Sequence, residues 1–430
     1  MKSVLGLLLA ATIISGAAAA DGPVTYVQAG RLLADPASGR VETEKTIVVQ
    51  GGRITEIRDG YVGEGKVVDL RDAFVMPGFI DSHVHITGES NPNERNDALA
   101  KSATDSAFDG VVFAGRTLRA GFTTVIDLGG EPQAIYGLRN AIAVGKVEGP
   151  RIIAAGGVAA HGGHGDIHGY RQEILDLYRS PTLCSGADDC ARAVRQAIQS
   201  GADVIKTAST GGVMSNTAAG LGQQMSDAEL TSIVDTAHRL GRKVAAHAHG
   251  TDGVNAALRA GVDSIEHGTY LDAESTKLFK AKGGYLVPTL LAGDTVKKRA
   301  ETAEWMPAPV RAKARQVGPL MVDALRRAHK AGVKIAFGTD SGVSAHGDNA
   351  QEFALMVEAG MTPLETIRAA TVWAAEHAGL GSEIGTLAPG KAADIVAVKG
   401  DPLSNVRVLE TTAFVMKGGA IAKAPGQAVD

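Results

Sequence analysis

The apolar and polar positions along the chain change rhythm twice. From Gly22 to about Leu70 they form short runs, VTYVQAGRLL, KTIVVQGGRITEI and KVVDL. Turn signals such as DPASG and GG separate these runs, and no helical periodicity connects them, which predicts strands. The far end answers in kind with ADIVAVKGDP, VRVLE and FVMKGGAIA. Two strand-rich flanks around a long middle predict a small β-sandwich domain built from both termini. The middle alternates instead. Its apolar runs are VMPGFIDSHVH, FTTVIDLG, RIIAAGG, DVIKTAS, KVAAHAHG, SIEHG, YLVPTL and KIAFGTDSG. Amphipathic stretches lie between them, for example SDAELTSIVDTAHRLG, where Ser226 and Glu229 make a capping-box signature, and DGVNAALRAGV, which closes on Gly261. Eight β/α units over about 300 residues predict an α/β fold, a closed (β/α)8 TIM-like barrel rather than an open doubly wound sheet. The absence of a glycine-rich dinucleotide fingerprint after the first strand points the same way. Two connections are long, 158–202 and 291–333, and long connections in a barrel serve as lids or specificity elements.

The ends of the chain refine these boundaries. Residues 1–20, MKSVLGLLLAATIISGAAAA, place a charged Lys2 before an apolar run from Val4 to Ile14, then small residues at Ala18-Ala19-Ala20. That is the pattern of a signal peptide, and it predicts an exported chain, periplasmic or secreted; left uncleaved, the same run would be an anchor. No later segment approaches the roughly 20 apolar residues of a membrane span, so none is expected in the mature chain. The expected division is then a composite β-domain over 21–75 and 386–430 around a barrel over 76–385.

Composition narrows the function. The formal charge is −4 with acids and bases interspersed, and aromatic residues make up 4% of the chain, so neither a basic block nor a base-stacking surface is present and no nucleic-acid partner is expected. Fifty-four glycines suit a chain with many strand–loop–helix junctions. The two cysteines, Cys184 and Cys190 in TLCSGADDCAR, leave two readings open: a disulfide clipping a short loop in an oxidising compartment, or two thiols. Their spacing is not the usual one for thiolate metal ligands.

The titratable residues cluster at strand ends. His83 and His85 end the first barrel strand, where alternation puts both on one face with Val84 pointing away. Lys206 sits near the end of the fourth, His247 and His249 end the fifth, His267 the sixth and Asp340 the eighth. In a barrel these ends converge on one face, the face that carries chemistry. Paired imidazoles on such a face suggest a shared metal ion.

In order, PGFIDSHVH, VIKTAS, AAHAHG, SIEHG, FGTDSG and the closing GTLAPGKAADIVAV resemble the amidohydrolase superfamily over nearly the whole mature chain. The resemblance is strongest to its imidazolonepropionase-like branch, which holds exported Xaa-Pro and Xaa-Arg/Lys dipeptidases and ochratoxin-degrading amidases. It implies a binuclear centre of two divalent ions, zinc first, though manganese or cobalt suits the same ligands. His83 and His85 would hold the inner ion together with Asp340, and His247 and His267 the second. His249 shares a face with His247 and is expected as a pocket group. Lys206 would be N6-carboxylated, since an ammonium beside two cations is strongly repelled while a carbamate can bridge them. A water shared by the metals would attack an amide carbonyl, Asp340 would carry the proton to the leaving nitrogen, and His164 or His249 would steady the oxyanion.

The loop AAHGGHGDIHGY adds His161, His164, His168 and Tyr170, and the resemblance selects His164 as the substrate-holding member. Tyr270 and Arg171 are further candidates to meet a substrate carboxylate, while Trp305 and Trp373 read as packing residues. The expected activity is cleavage of an amide bond to a C-terminal amino acid, as in a dipeptidase or carboxypeptidase-like enzyme. Alternatives are an amidase of non-peptide N-acyl amino acids such as ochratoxin A, a cyclic amide or lactone hydrolase, and a non-catalytic scaffold, which would have lost ligands that this chain keeps. The expected partner is a dipeptide or other small molecule, and the resemblance implies a homo-oligomer.

Overall fold

The computed structural model describes residues 22–167, 169–215 and 220–426. The signal-peptide reading of residues 1–20, and His168, lie outside them. Four strands open the chain: β1 (Thr25–Leu32), β2 (Glu42–Gln50), β3 (Arg53–Asp59) and β4 (Lys66–Pro77). The barrel follows with β5 (Phe79–Val84), β6 (Phe122–Asp127), β7 (Arg151–Ala160), a short outlying β8 (Leu183–Cys184), and β9 (Val204–Ala208). Then come β10 (Val244–Ala248), β11 (Ser264–His267), β12 (Tyr285–Val287) and β13 (Lys334–Ile335). The chain ends on β14 (Ile395–Val398), β15 (Thr412–Lys417) and β16 (Ala420–Lys423).

The first sheet has the order β16-β15-β14-β4-β1-β2-β3, so both ends of the chain meet between β14 and β4. β1 alternates buried and half-buried positions, and Val27, Ile47, Val68, Ile395 and Phe414 form its separate core. In the second sheet, β5-β6-β7-β9-β10-β11-β12-β13 run parallel, with β8 added outside β7. Every position of β5, β6 and β10 is buried, as expected of strands covered on both faces. Three hydrogen bonds close the ring between the eighth segment and the first: Ser82 N–H to Phe337 O (2.8 Å), Asp340 N–H to His83 O (2.7 Å) and His85 N–H to Ser341 O (2.7 Å). The expected (β/α)8 barrel with a small β-domain is therefore the fold.

Details depart from the sequence pattern for local reasons. The run VMPGFIDSHVH is two strands, because Gly78 turns the chain from one sheet into the other. A Cβ there would lie 2.2 Å from Thr123 Oγ1, so glycine is required. VRVLE is a 3-10 turn over Val406–Glu410 rather than a strand: Asn405 caps it by accepting from Arg407 N–H, and Val406 and Leu409 face inward three residues apart. The helix Asp227–Arg239 does start on the Ser226–Glu229 capping box, and Thr251–Ala260 does end on Gly261 in the left-handed region.

The long connections are structured. Residues 158–202 include β8 and the helix Ala187–Ser200, and Cys184 and Cys190 form a disulfide between them. Residues 291–333 form two packed helices, Leu290–Thr302 and Ala308–Lys330. Among the described residues no helix is long and apolar enough to cross a membrane.

Candidate metal centre

The carboxyl ends of β5, β9, β10 and β11 and the segment after β13 meet at one mouth of the barrel. His83, His85, Lys206, His247, His249, His267, Asp340 and His164 all line a single cavity there, of about 450 Å3. Two donor clusters form within it: His83 with His85 and Asp340, and His247 with His249 and His267. In the first, Asp340 Oδ1 lies 3.4 Å from His83 Nε2 and 3.1 Å from His85 Nε2. In the second, the rings of His247 and His267 are 4.7 Å apart between centroids, and His249 stacks on His267 at 4.8 Å. His249 thus belongs to the cluster geometrically, beside the two histidines expected there.

Each ring is held by one nitrogen. His83 Nδ1 donates to Glu266 Oε2 at 2.8 Å, and His85 Nδ1 donates to Gly129 O at 2.7 Å. His249 Nδ1 meets Thr269 Oγ1 at 2.8 Å, and His267 Nδ1 meets Thr289 Oγ1 at 2.6 Å. In all four rings the Nε2 is therefore the nitrogen left for the centre, the arrangement that orients metal-binding imidazoles. His247 differs, with Nε2 3.2 Å from Gly211 O and Nδ1 left over. Burial keeps the second cluster neutral: it holds His247 and His267 well below the usual histidine value and His249 at about 3, whereas at His85 the pull of the Asp340 carboxylate outweighs burial and raises the ring. Neutral imidazole is the form that ligates a cation. Asp340 is buried too, yet the rings of His83, His85 and His267 hold its carboxyl below the usual range, so it is ionised.

Lys206 is the odd member. Its Nζ lies 3.4 Å from His83 Nε2, and among the described residues it pairs with no carboxylate. Burial lowers its pKa, so the amine is easier to deprotonate than a surface lysine. An imidazole set, most of it held neutral by burial, with an ionised aspartate and a lysine of lowered pKa suits a divalent cation pair of borderline softness.

Backbone strain builds part of this geometry. His267, Thr289 and Asp340 have φ of 71°, 50° and 58°, the left-handed region that costs an L-residue about 1–2 kcal/mol. Strand alternation would send Glu266 and His267 to opposite faces. The turn at His267 brings both side chains to His83, with the His267 ring 5.4 Å from that of His83. Glu266 therefore escapes a periodicity reading; its one signal is an acid inside the apolar run SIEHG. Asp81 escapes similarly. It accepts from His83 N–H, Thr339 N–H, Thr339 Oγ1 and Asn349 Nδ2, and so ties the first strand to the segment carrying Asp340. Burial raises its pKa to about 6.

The His164 ring lies 4.1 Å from that of His247, tilted by 35°, and shares a 2.5 Å hydrogen bond, Nδ1 to Ser215 Oγ. Lys313 fixes that loop by donating to Gly212 O and Ser215 O. Burial lowers His164 to about 4. The other sequence candidates lie elsewhere. His161 is exposed against Ser185, Arg171 is exposed and 3.7 Å from Glu173, and neither Arg171 nor Tyr270 lines the cavity. Trp373 packs against the core, whereas Trp305 is 37% exposed beside a surface cleft rather than a packing residue.

A parallel barrel that gathers imidazoles, a carboxylate and a lysine amine at its carboxyl mouth defines a barrel hydrolase with a metal-type donor set. The chain belongs to the amidohydrolase family, whose model matches residues 74–423. It is 35% identical to ochratoxinase of Aspergillus niger over 376 residues, 82% of this chain and 76% of that one. Its fold superposes on a Xaa-Pro dipeptidase with methionine bound in the active site, at a TM-score of 0.88 and 39% identity over 93% of this chain and 99% of that one. The crystal structure of A. niger ochratoxinase gives 0.83 and 32%, over 94% and 97%. The protein is a hydrolase acting on amide bonds.

Proposed function

We propose that the protein is an exported, binuclear-metal amidohydrolase that releases a C-terminal amino acid from a dipeptide or N-acyl amino acid. The observation that carries this reading is the pair of donor clusters on one cavity, with Lys206 Nζ against His83. His83, His85 and Asp340 would hold one ion, and His247 and His267 the other. Carboxylation of Lys206 would form an N–C bond to carbon dioxide with loss of a proton, leaving a carbamate anion that would help hold the divalent ions. When bound, the ions supply Lewis acidity toward the amide carbonyl and an ionised water near neutral pH.

The chain's own groups do the rest. Asp340 takes the proton of the attacking water and passes it to the leaving nitrogen as the C–N bond breaks. His164 and His249, both neutral, offer N–H donors to the carbonyl oxygen as it gains charge. Glu266 and Asp81 hold His83 and the Asp340 segment in place.

The relatives support an amino acid as the released group, because the named neighbours include a Xaa-Pro dipeptidase with methionine bound. The similarity to ochratoxinase supports a second reading, an amidase of a non-peptide N-acyl amino acid such as ochratoxin A. Export accords with the Cys184–Cys190 disulfide, since such bonds persist in oxidising compartments. A homo-oligomer accords with Phe108 and Val112, four apart on one helix and 69% and 52% exposed, and light scattering tests it. The decisive experiment offers dipeptides, N-acyl amino acids and ochratoxin A to the zinc-loaded protein. Release of a free amino acid is expected; hydrolysis of lactones alone would overturn the reading.

A further inference from the structure

We infer that the chamber beside the histidines is a subsite for a bulky, uncharged substrate side chain, and that the helices Leu290–Thr302 and Ala308–Lys330 set its size. The inference rests on the amide hydrolysis proposed above and names the substrate class. Gly293 and Val296 come from the first helix and Val317 and Met321 from the second; Leu183 and Met214 are among the facing residues. Among the described lining residues the charged ones are Lys206 and Asp340, both in the metal centre. A side-chain carboxylate or ammonium set against the Gly293, Val296, Val317 and Met321 wall would lose its water and meet no charged partner on that wall, whereas an aromatic or branched aliphatic group would gain burial.

The helical wall is built by close approach. A Cβ on Gly293 would lie 2.6 Å from Met321 Sδ, and one on Gly318 would lie 2.8 Å from Gly293 O. The helices thus touch backbone to backbone, and glycine at both positions is what presents Val317 and Met321 to the chamber. Met321 supplies a flexible thioether that can follow the shape of different apolar groups. The wall is also anchored to the chemistry. Glu352 accepts from Leu290 N–H at 2.9 Å and from Leu291 N–H at 2.6 Å, fixing the start of the first helix. One residue earlier, Thr289 Oγ1 holds His267 Nδ1. A side chain seated against this wall therefore lies in fixed relation to the histidine cluster.

The test uses the full metal-loaded enzyme and two dipeptide series, varying the acyl residue in one and the amine residue in the other among Phe, Leu, Met, Asp and Lys. In at least one series, kcat/KM for Phe, Leu and Met should exceed that for Asp and Lys by about 100-fold. Gly293→Ala, which drives Met321 into the chamber, should cost the Phe substrate about tenfold and an Ala substrate little. Met321→Ala, which enlarges the chamber, should shift preference toward Trp over Leu, with thermal unfolding checking that the variant is folded. Equal rates for charged and apolar residues in both series, or unchanged preferences in a folded Met321→Ala protein, would overturn the inference. If the metal-loaded protein cleaves no amide, the proposed reaction falls, and calorimetry decides the subsite separately. Binding of free phenylalanine and leucine but not aspartate or lysine supports it, and equal or absent binding overturns it.

Discussion

His83 Nδ1 and Glu266 Oε2 meet 2.8 Å apart, with both side chains sealed from solvent at 1% and 0% exposure. Although burial opposes its ionisation, the His83 contact holds Glu266 below its ordinary pKa, so the carboxylate is charged and the imidazole proton sits on Nδ1. Nε2 is thereby committed to the centre. Glu266→Gln keeps an acceptor but loses the charge, and metal affinity should fall about 10–100-fold. Metal content after dialysis against graded chelator, measured by mass spectrometry, checks this; unchanged retention would show that Glu266 serves packing alone.

Lys206 pairs with no carboxylate among the described residues, and its Nζ faces His83 Nε2. Lys206→Ala should drop metal content below two equivalents and lower kcat/KM by about 10³-fold or more. A short-chain carboxylate added to the buffer should restore part of both, since it can occupy the place of the proposed carbamate. Intact-mass measurement under gentle conditions should show one added carbon dioxide in the wild type and none in the variant.

Asp340 has two proposed duties, and Asn can replace it as a ligand better than as a proton carrier. Asp340→Asn should lower kcat by about 10²–10⁴-fold while KM changes little. Steady-state kinetics with metal content measured in parallel separates the two duties. A rise in KM at unchanged kcat would remove Asp340 from proton transfer.

The Cys184–Cys190 disulfide lies directly after Leu183, a wall residue of the chamber. Its removal in the double variant Cys184→Ser, Cys190→Ser should cost about 2–3 kcal/mol by the loop-entropy estimate for so short a loop. Thermal unfolding should show the loss. KM for an apolar substrate should rise while kcat stays near its original value, because the change loosens a wall rather than the centre.

Glu352 gives a pH signature distant from the centre. Burial pushes its pKa from 4.5 to about 8, against the pull of the Leu290 and Leu291 N–H groups. Between these values the folded chain keeps a proton that the unfolded chain has released, so this group removes stability as pH rises through that window. Glu352→Gln abolishes the effect but loses an acceptor for one N–H. Wild type should therefore melt above the variant near pH ~5, with the gap narrowing toward pH ~8. A gap constant across that range would mean that Glu352 does not titrate there.

Periodicity in the sequence determined the architecture and much of the candidate site. Eight apolar runs separated by amphipathic stretches can bury both faces of each strand only in a parallel, helix-covered sheet, and His83, His85, Lys206, His247, His267 and Asp340 were legible because each ends such a run. What periodicity does not carry, the tertiary structure decided. Glu266 reaches His83 because a left-handed φ at His267 breaks the alternation that would have separated them. Asp81 acquires its role only when β5 meets the segment after β13, more than 250 residues away. The helical wall of the cavity forms because Gly293 and Gly318 let two helices of one connection touch. The physical reason is common to all three: strand and helix repeats report which face a residue occupies, while backbone strain and long-range closure determine what that face meets.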